Sequence, residues 1–210
     1  MRPLAIFGGT FDPIHFGHLR VAWEAAEALD AELRMIPSAV PPHRPQPLAS
    51  AEQRLAMLRA ALEGQDRLLA DDRELRRAGE SWTIDTLLEL RAEIGPQRPL
   101  VLLVGADAFA GLSTWHRWRE LFDHAHVGVL TRPGHGGVFE PELASEWFTR
   151  RVDELGALRT CAHGAIAPIE VTPLDVSASA IRALVASGRS PRFLVPAAVV
   201  DLIERHGLYR

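Results

Sequence analysis

The chain of 210 residues contains no lysine and a single cysteine, Cys161. Without lysine, every fixed positive side chain is an arginine. A phosphate clamp here must therefore be built from arginine, histidine or backbone N–H groups. One cysteine excludes an intrachain disulfide and fits a reducing compartment. No apolar run approaches the roughly 20 residues that cross a bilayer. The apolar run near Met1 is too short for a signal peptide and lacks a small-residue cleavage site behind it. These absences predict a soluble cytoplasmic protein with no membrane partner. Surplus positive charge is missing too: the formal net charge is -4, with acids and bases mixed along the chain. That argues against nucleic acid as a partner, since a nucleic-acid surface depends on a broad basic field, but it leaves room for a small anionic ligand.

What is present is an alternation of apolar runs and helix-period segments. Leu4–Phe7, Glu32–Ile36, Leu68–Ala70, Leu100–Val104, Val127–Leu130 and Ile169–Thr172 read as strands. Gly17–Leu29, Ser50–Leu62, Thr83–Ile94, Trp118–Ala125, Pro141–Leu155, Ala178–Ser187 and Pro196–Arg205 read as helices. Ser50, with Gln53 three residues on, has the pattern of a capping box. Pro37–Pro47 and Arg132–Gly137 read as loops. Strands separated by helices predict an α/β fold, a parallel sheet flanked by helices. Ligands in such folds sit beyond the carboxyl ends of the strands. This places a site at the ends of the first, second, fourth and fifth strands. No repeat or long linker divides the chain, so residues 1–210 are expected to form a single domain that buries roughly 70% of its unfolded surface.

The segment richest in chemistry is Gly8-Gly9-Thr10-Phe11-Asp12-Pro13-Ile14-His15-Phe16-Gly17-His18, between the first strand and the first helix. Adjacent glycines let backbone approach a ligand closely. Thr10 offers a hydroxyl. His15 and His18 fall at a helix start, where unpaired N–H groups and a partial positive charge favour an anion. The string has neither the GxGxxG of dinucleotide-binding loops nor the GK[ST] ending of ATPase phosphate loops. A bare pair of histidines three apart is more often structural than functional. As a zinc site it lacks an obvious third ligand, since His124, His126, Cys161 and His163 are candidates by composition only, so no protein-held metal is expected. Near the C-terminus Ser177 reads as a helix N-cap, with Ser179 and Arg182 on one face of the turn that follows.

The whole string resembles the signature of bacterial nicotinate-nucleotide adenylyltransferases. These belong to the nucleotidyltransferase superfamily whose HxGH motif His15-Phe16-Gly17-His18 matches. The resemblance implies a Rossmann-like nucleotidyltransferase fold. It implies adenylyl transfer from ATP to nicotinate mononucleotide, with release of pyrophosphate, in NAD biosynthesis. Mg2+ would accompany ATP. The implied catalytic residues are His15, His18 and Arg182. The implied ATP contacts are Gly8, Gly9, Thr10, Phe11, His15, His18, Ser177, Ser179, Ile181 and Arg182, with the C-terminal part from about residue 173 to 210 completing that site. Val176–Arg182 is similar to the family's ISSTxIR segment, with alanine for its second serine and serine for threonine.

On the acceptor side, Ile36–Arg44, Ser81–Thr86, Gly105–Phe109 and Trp115–Trp118 are similar to further family segments. They imply mononucleotide contacts from Ser38, His43, Arg44, Trp82, Thr83, Asp107, Trp115, His116 and Arg132. Tryptophan replaces tyrosine at 82, and Ser38 and Ala39 stand where relatives often carry asparagines. An indole such as Trp115 can stack on an electron-poor pyridine ring. Trp118 reads as packing, and Arg132 as either a phosphate contact or a solvated loop charge. The Val195–Tyr209 ending resembles the family's and reads as structural. Nicotinamide mononucleotide and phosphopantetheine are alternative acceptors, and a noncatalytic nucleotide-sensing module is the alternative to an enzyme. Oligomeric state is not legible in the sequence.

Overall fold

The computed structural model describes residues 1–39, 46–131 and 140–210. The chain runs β1 (Leu4–Gly9), α1 (Phe16–Leu29), β2 (Glu32–Pro37), α2 (Ala51–Ala61), β3 (Leu68–Ala70), α3 (Arg73–Arg76) and α4 (Thr83–Ile94). It continues through β4 (Leu100–Gly105), α5 (Ala106–Ala110), α6 (Leu121–His124), β5 (His126–Thr131), α7 (Pro141–Arg150), β6 (Ile166–Glu170), α8 (Ala178–Ala186) and α9 (Ala197–Arg205). The strands form one parallel sheet in the order β3-β2-β1-β4-β5-β6. From β1 the chain steps outward through β2 and β3, then crosses back to lay β4 on the other side of β1. The order of winding therefore reverses between β1 and β4, the place beyond whose strand ends folds of this kind take their ligands.

The apolar pattern explains the layering. Every residue from Leu100 to Val104 is buried, as expected of a central parallel strand covered on both faces. Leu100, Leu102 and Val104 pack with Ile84, Leu87 and Leu90 of α4 and with Leu121 and Phe122 of α6. Val101 and Leu103 point the other way, into a core with Ala22, Ala25 and Ala26 of α1, Met57 and Leu58 of α2, Ile181 of α8, and Val199 and Ile203 of α9. Small alanines on the inner face of α1 let that helix lie close to the sheet. Ser50 caps α2 as the sequence predicts: its Oγ accepts from Gln53 N at 3.3 Å while Gln53 Oε1 accepts from Ser50 N at 2.9 Å.

Three departures from the sequence expectation exceed two residues. The last strand starts at Ile166, ahead of the predicted Ile169, because β6 lies at the sheet edge, where the missing N–H of Pro168 removes no necessary bond. Helix α7 ends at Arg150 rather than Leu155: Arg151 turns extended, and Val152 N reaches Ile166 O at 2.9 Å. The helical stretch expected over Trp118–Ala125 is a 3-10 turn, Trp118–Glu120, followed by the single turn of α6. The turns α3 and α5 are too short for their periodicity to stand out. Among the described residues no helix is long and apolar enough to cross a membrane.

Candidate active site

Register brings the predicted segments to one edge. Gly9 of β1 lies opposite Pro37 of β2, and Gly105 of β4 opposite Leu130 of β5. The loop after β1 is held there by buried polar contacts. Asp12 is 4% exposed. Its Oδ1 accepts from the Tyr209 hydroxyl at 2.8 Å and from Ala49 N at 3.1 Å, and its Oδ2 from Leu48 N at 2.9 Å. Arg182 Nη1 donates to the Asp12 carbonyl at 2.7 Å, and Arg182 Nη2 to Ser179 Oγ at 3.3 Å. Phe16 N, at the start of α1, donates to Leu194 O at 3.0 Å. The C-terminal segment is thus fastened to the first loop. Burial and the neighbouring Asp12 carboxylate push the Tyr209 phenol well above its usual range, so it stays a donor.

The two histidines of that loop form a stacked pair, with ring centroids 3.7 Å apart and planes 25° from parallel. His18 is half-buried and meets the edge of Phe11 at 5.1 Å. Phe11 has φ 49, a left-handed backbone that a bulky residue adopts only when its surroundings hold it there. Gly9 leaves the room: a Cβ on it would lie 2.7 Å from the Phe11 ring. Gly17 does the same for His15, whose ring would be 3.0 Å from such a Cβ. His15 is 5% exposed, and its Nδ1 is buried with no hydrogen-bond partner. Burial lowers its pKa to about 4, so at neutral pH the ring is uncharged. An unsatisfied buried polar atom costs on the order of 1–3 kcal/mol. The fold carries that cost beside the winding reversal, where a ligand can repay it.

The remaining residues named from the sequence fall into three groups. Gly8, Gly9 and Thr10 line the exposed edge beside the histidine pair, and Ser177 and Ser179 are exposed at the start of α8. Ser177 Oγ caps that helix by accepting from Ala180 N at 3.2 Å. Phe11 and Ile181 are the buried members of the set. Both side chains are in the core, and Ile181 N donates to Ser177 O at 3.0 Å.

Among the residues expected on the acceptor side, Trp82 and His116 are brought together, their ring centroids 4.8 Å apart. Trp115 is half-buried at the edge of the core. Trp118 is 7% exposed and packs with Phe122, as read from the sequence. Thr83 opens α4, where helix N–H groups have no partner in their own helix. Asp107 is exposed on α5, and Ser38 N donates to Gly9 O at 3.0 Å. His43, Arg44 and Arg132 lie outside the described residues.

One buried cation escaped the sequence reading. Arg54 of α2 is 1% exposed; its Nη1 donates to Thr10 O at 2.7 Å and its Nη2 to Ala39 O at 3.4 Å. The zinc alternative gains nothing. Both ring nitrogens of His126 are engaged by backbone, and no described group of three or more His, Cys, Asp or Glu could hold a metal ion.

Residues 6–184 match the cytidylyltransferase-like family. Relatives named "Probable nicotinate-nucleotide adenylyltransferase" are similar over their length. That of Pseudomonas syringae pv. tomato is 50% identical, covering 100% of this chain and 94% of its own. That of Aeromonas hydrophila subsp. hydrophila is 47% identical over 99% of this chain and 97% of its own. The chain belongs to the nicotinate-nucleotide adenylyltransferase family. Its members are nucleotidyltransferases, which makes this protein an enzyme rather than a sensing module. Among solved structures, the Plasmodium falciparum nicotinic acid mononucleotide adenylyltransferase complexed with NaAD aligns with a TM-score of 0.74. It covers 100% of this chain and 98% of that one at 15% identity, which bears on the fold alone.

Proposed function

We propose that the protein transfers the adenylyl group of ATP to nicotinate mononucleotide, giving nicotinate adenine dinucleotide and pyrophosphate. The observation that carries this reading is the stacked pair His15–His18 at the carboxyl end of β1, with a buried, unpartnered Nδ1 on His15 and Arg182 bound to the same loop. ATP lies over Gly8–Thr10 and the start of α8, its triphosphate toward the histidines and Arg182. Residues 173–210 complete this half. The mononucleotide lies along Ser38, Trp82 and Thr83, its pyridine ring against Trp115 and its carboxylate on main-chain N–H groups near Thr83 and His116. Asp107 holds a ribose hydroxyl; His43 and Arg44 are assigned to the mononucleotide, and Arg132 to its phosphate, on the family resemblance alone. Trp118 takes no part.

An oxygen of the mononucleotide phosphate attacks the α-phosphorus. A new P–O bond forms as the bond to the β-phosphate breaks, and pyrophosphate carries away the electron pair. A phosphate monoester is largely ionised near neutral pH, its second pKa being about 6, so the attacker needs no general base. The protein's task is alignment and charge stabilisation. His15, neutral in the free enzyme, serves first as an N–H donor. An adjacent triphosphate favours its protonated form and raises its pKa. Arg182 supplies permanent charge. Mg2+ would accompany ATP, held by phosphate and water, since no described group of three or more His, Cys, Asp or Glu could hold it.

Pyrophosphate release, measured with ATP and each of nicotinate mononucleotide, nicotinamide mononucleotide and phosphopantetheine, tests the reading. The nicotinate substrate is expected to turn over fastest. Faster turnover with either rival acceptor would reject the assignment of substrate.

A further inference from the structure

Ala39, just past the end of β2, carries no functional side chain, yet its peptide is gripped from two sides. Its carbonyl accepts from the buried Arg54, which also holds Thr10 O. Its N–H donates to Ser81 Oγ at 2.9 Å. Ser81 in turn favours the charged form of the Glu74 carboxyl, against the burial that disfavours it. Glu74 is 9% exposed and accepts from the Thr86 hydroxyl at 2.7 Å; that hydroxyl accepts from Arg77 Nη2 at 3.2 Å. Arg77 thus donates to Thr86 and Thr86 to Glu74, while the Ala39 N–H donates to Ser81. Desolvation of Glu74 raises its pKa, so the carboxyl sits there at a cost that core packing alone would not demand.

We propose that Ser81, anchored by Glu74, is a positioning residue for the mononucleotide. By fixing the Ala39 peptide it sets both Ser38 and the Trp82–Thr83 turn, the two walls of the acceptor half-site. This rests on the placement of the mononucleotide given above. Arg54 ties the same peptide to the ATP loop at Thr10, so the acceptor wall has a fixed distance from the phosphate-handling loop. The sequence has put the rigidity in the main chain at a position whose side chain is a methyl group.

Steady-state kinetics of Ser81→Ala, Ser81→Thr and Glu74→Gln in the full-length enzyme test the proposal, with Tm measured alongside. Losing one hydrogen bond of this kind should raise the KM for nicotinate mononucleotide about 5- to 10-fold. The KM for ATP should stay within about two-fold, with a fall in Tm of only a few degrees in Ser81→Ala. Ser81→Thr, which keeps the hydroxyl, should restore most of the loss. Ser81→Ala combined with Glu74→Gln should raise the mononucleotide KM by less than the product of the single effects, because both act through one bond. An unchanged mononucleotide KM in Ser81→Ala would overturn the proposal. So would a rise in both KM values together, a rise in the ATP KM alone, or failure of threonine to restore the loss. Wild-type turnover separates the two readings: an inactive wild type counts against the proposed reaction, an active one with an indifferent Ser81→Ala against the positioning role.

Discussion

Two buried histidines sit at opposite ends of the same sheet, and their partners differ. His126 opens β5 at the amino end of the strands, with no exposed surface. Its Nδ1 accepts from Ala165 N at 3.0 Å and its Nε2 lies 3.0 Å from Cys161 O. That pairing fixes a neutral ring with the proton on Nε2. His15 follows β1 at the carboxyl end, nearly as buried, with its Nδ1 unpartnered. Burial lowers both pKa values. One histidine is a closed lock between strand connections. The other is an open valence held in readiness. Composition cannot tell them apart; the end of the sheet and the hydrogen-bond count can.

Mutation should separate the two ends sharply. At the carboxyl end, His18→Ala is expected to lower kcat by about 100- to 1000-fold, the scale seen when one preorganised donor is removed from a developing charge. Its melting temperature should change little. Full turnover in that variant would break the contrast at once.

The pH dependence of stability sharpens it next. A His15 pKa of about 4 in the folded state lies below the unfolded value of 6.5. Between those values the unfolded chain binds more protons, so stability falls as pH drops through this window. His15 accounts for up to about 3 kcal/mol of that loss, and His126 acts in the same direction. Glu74, its pKa raised, opposes them at the lower end of the range. Denaturant midpoints at pH 7.5 and 5 should show a loss in the wild type and a shallower loss in His15→Gln. Equal losses would mean that His15 titrates normally.

At the amino end, His126→Ala leaves Ala165 N and Cys161 O without their partner and opens a cavity. It should cost about 2–3 kcal/mol of stability while leaving kcat of the folded fraction unchanged. Smallest is Tyr209→Phe, which removes one of the three donors to the Asp12 side chain. About 1 kcal/mol is expected from denaturant unfolding, with only a modest loss of activity.

Much of this was legible before the fold. The Gly8–His18 string marks the loop after β1 because adjacent glycines before a helix start suit an anion and the whole string resembles the family's signature. The run Leu100–Val104 announced a central strand, and Ser50 and Ser177 announced their helices. What stayed hidden depends on three-dimensional neighbours. Arg54 looks like an ordinary polar position on a helix, and only the approach of Thr10 and Ala39 buries it. Glu74 lies on the single turn of α3, too short to have a period. Asp12 was quoted within the motif, but its bond to Tyr209 spans nearly the whole chain. Pro168 concealed the start of β6 because edge and centre look alike in sequence.

The central claim is that the open valence of His15 and its stacked neighbour meet the triphosphate. A crystal structure of the enzyme with a non-hydrolysable ATP analogue tests it most directly. A phosphate oxygen is expected within hydrogen-bond distance, about 2.7–3.2 Å, of an imidazole nitrogen of His15 or His18, with Arg182 facing the same group. An analogue bound with its phosphates remote from both rings would contradict the account.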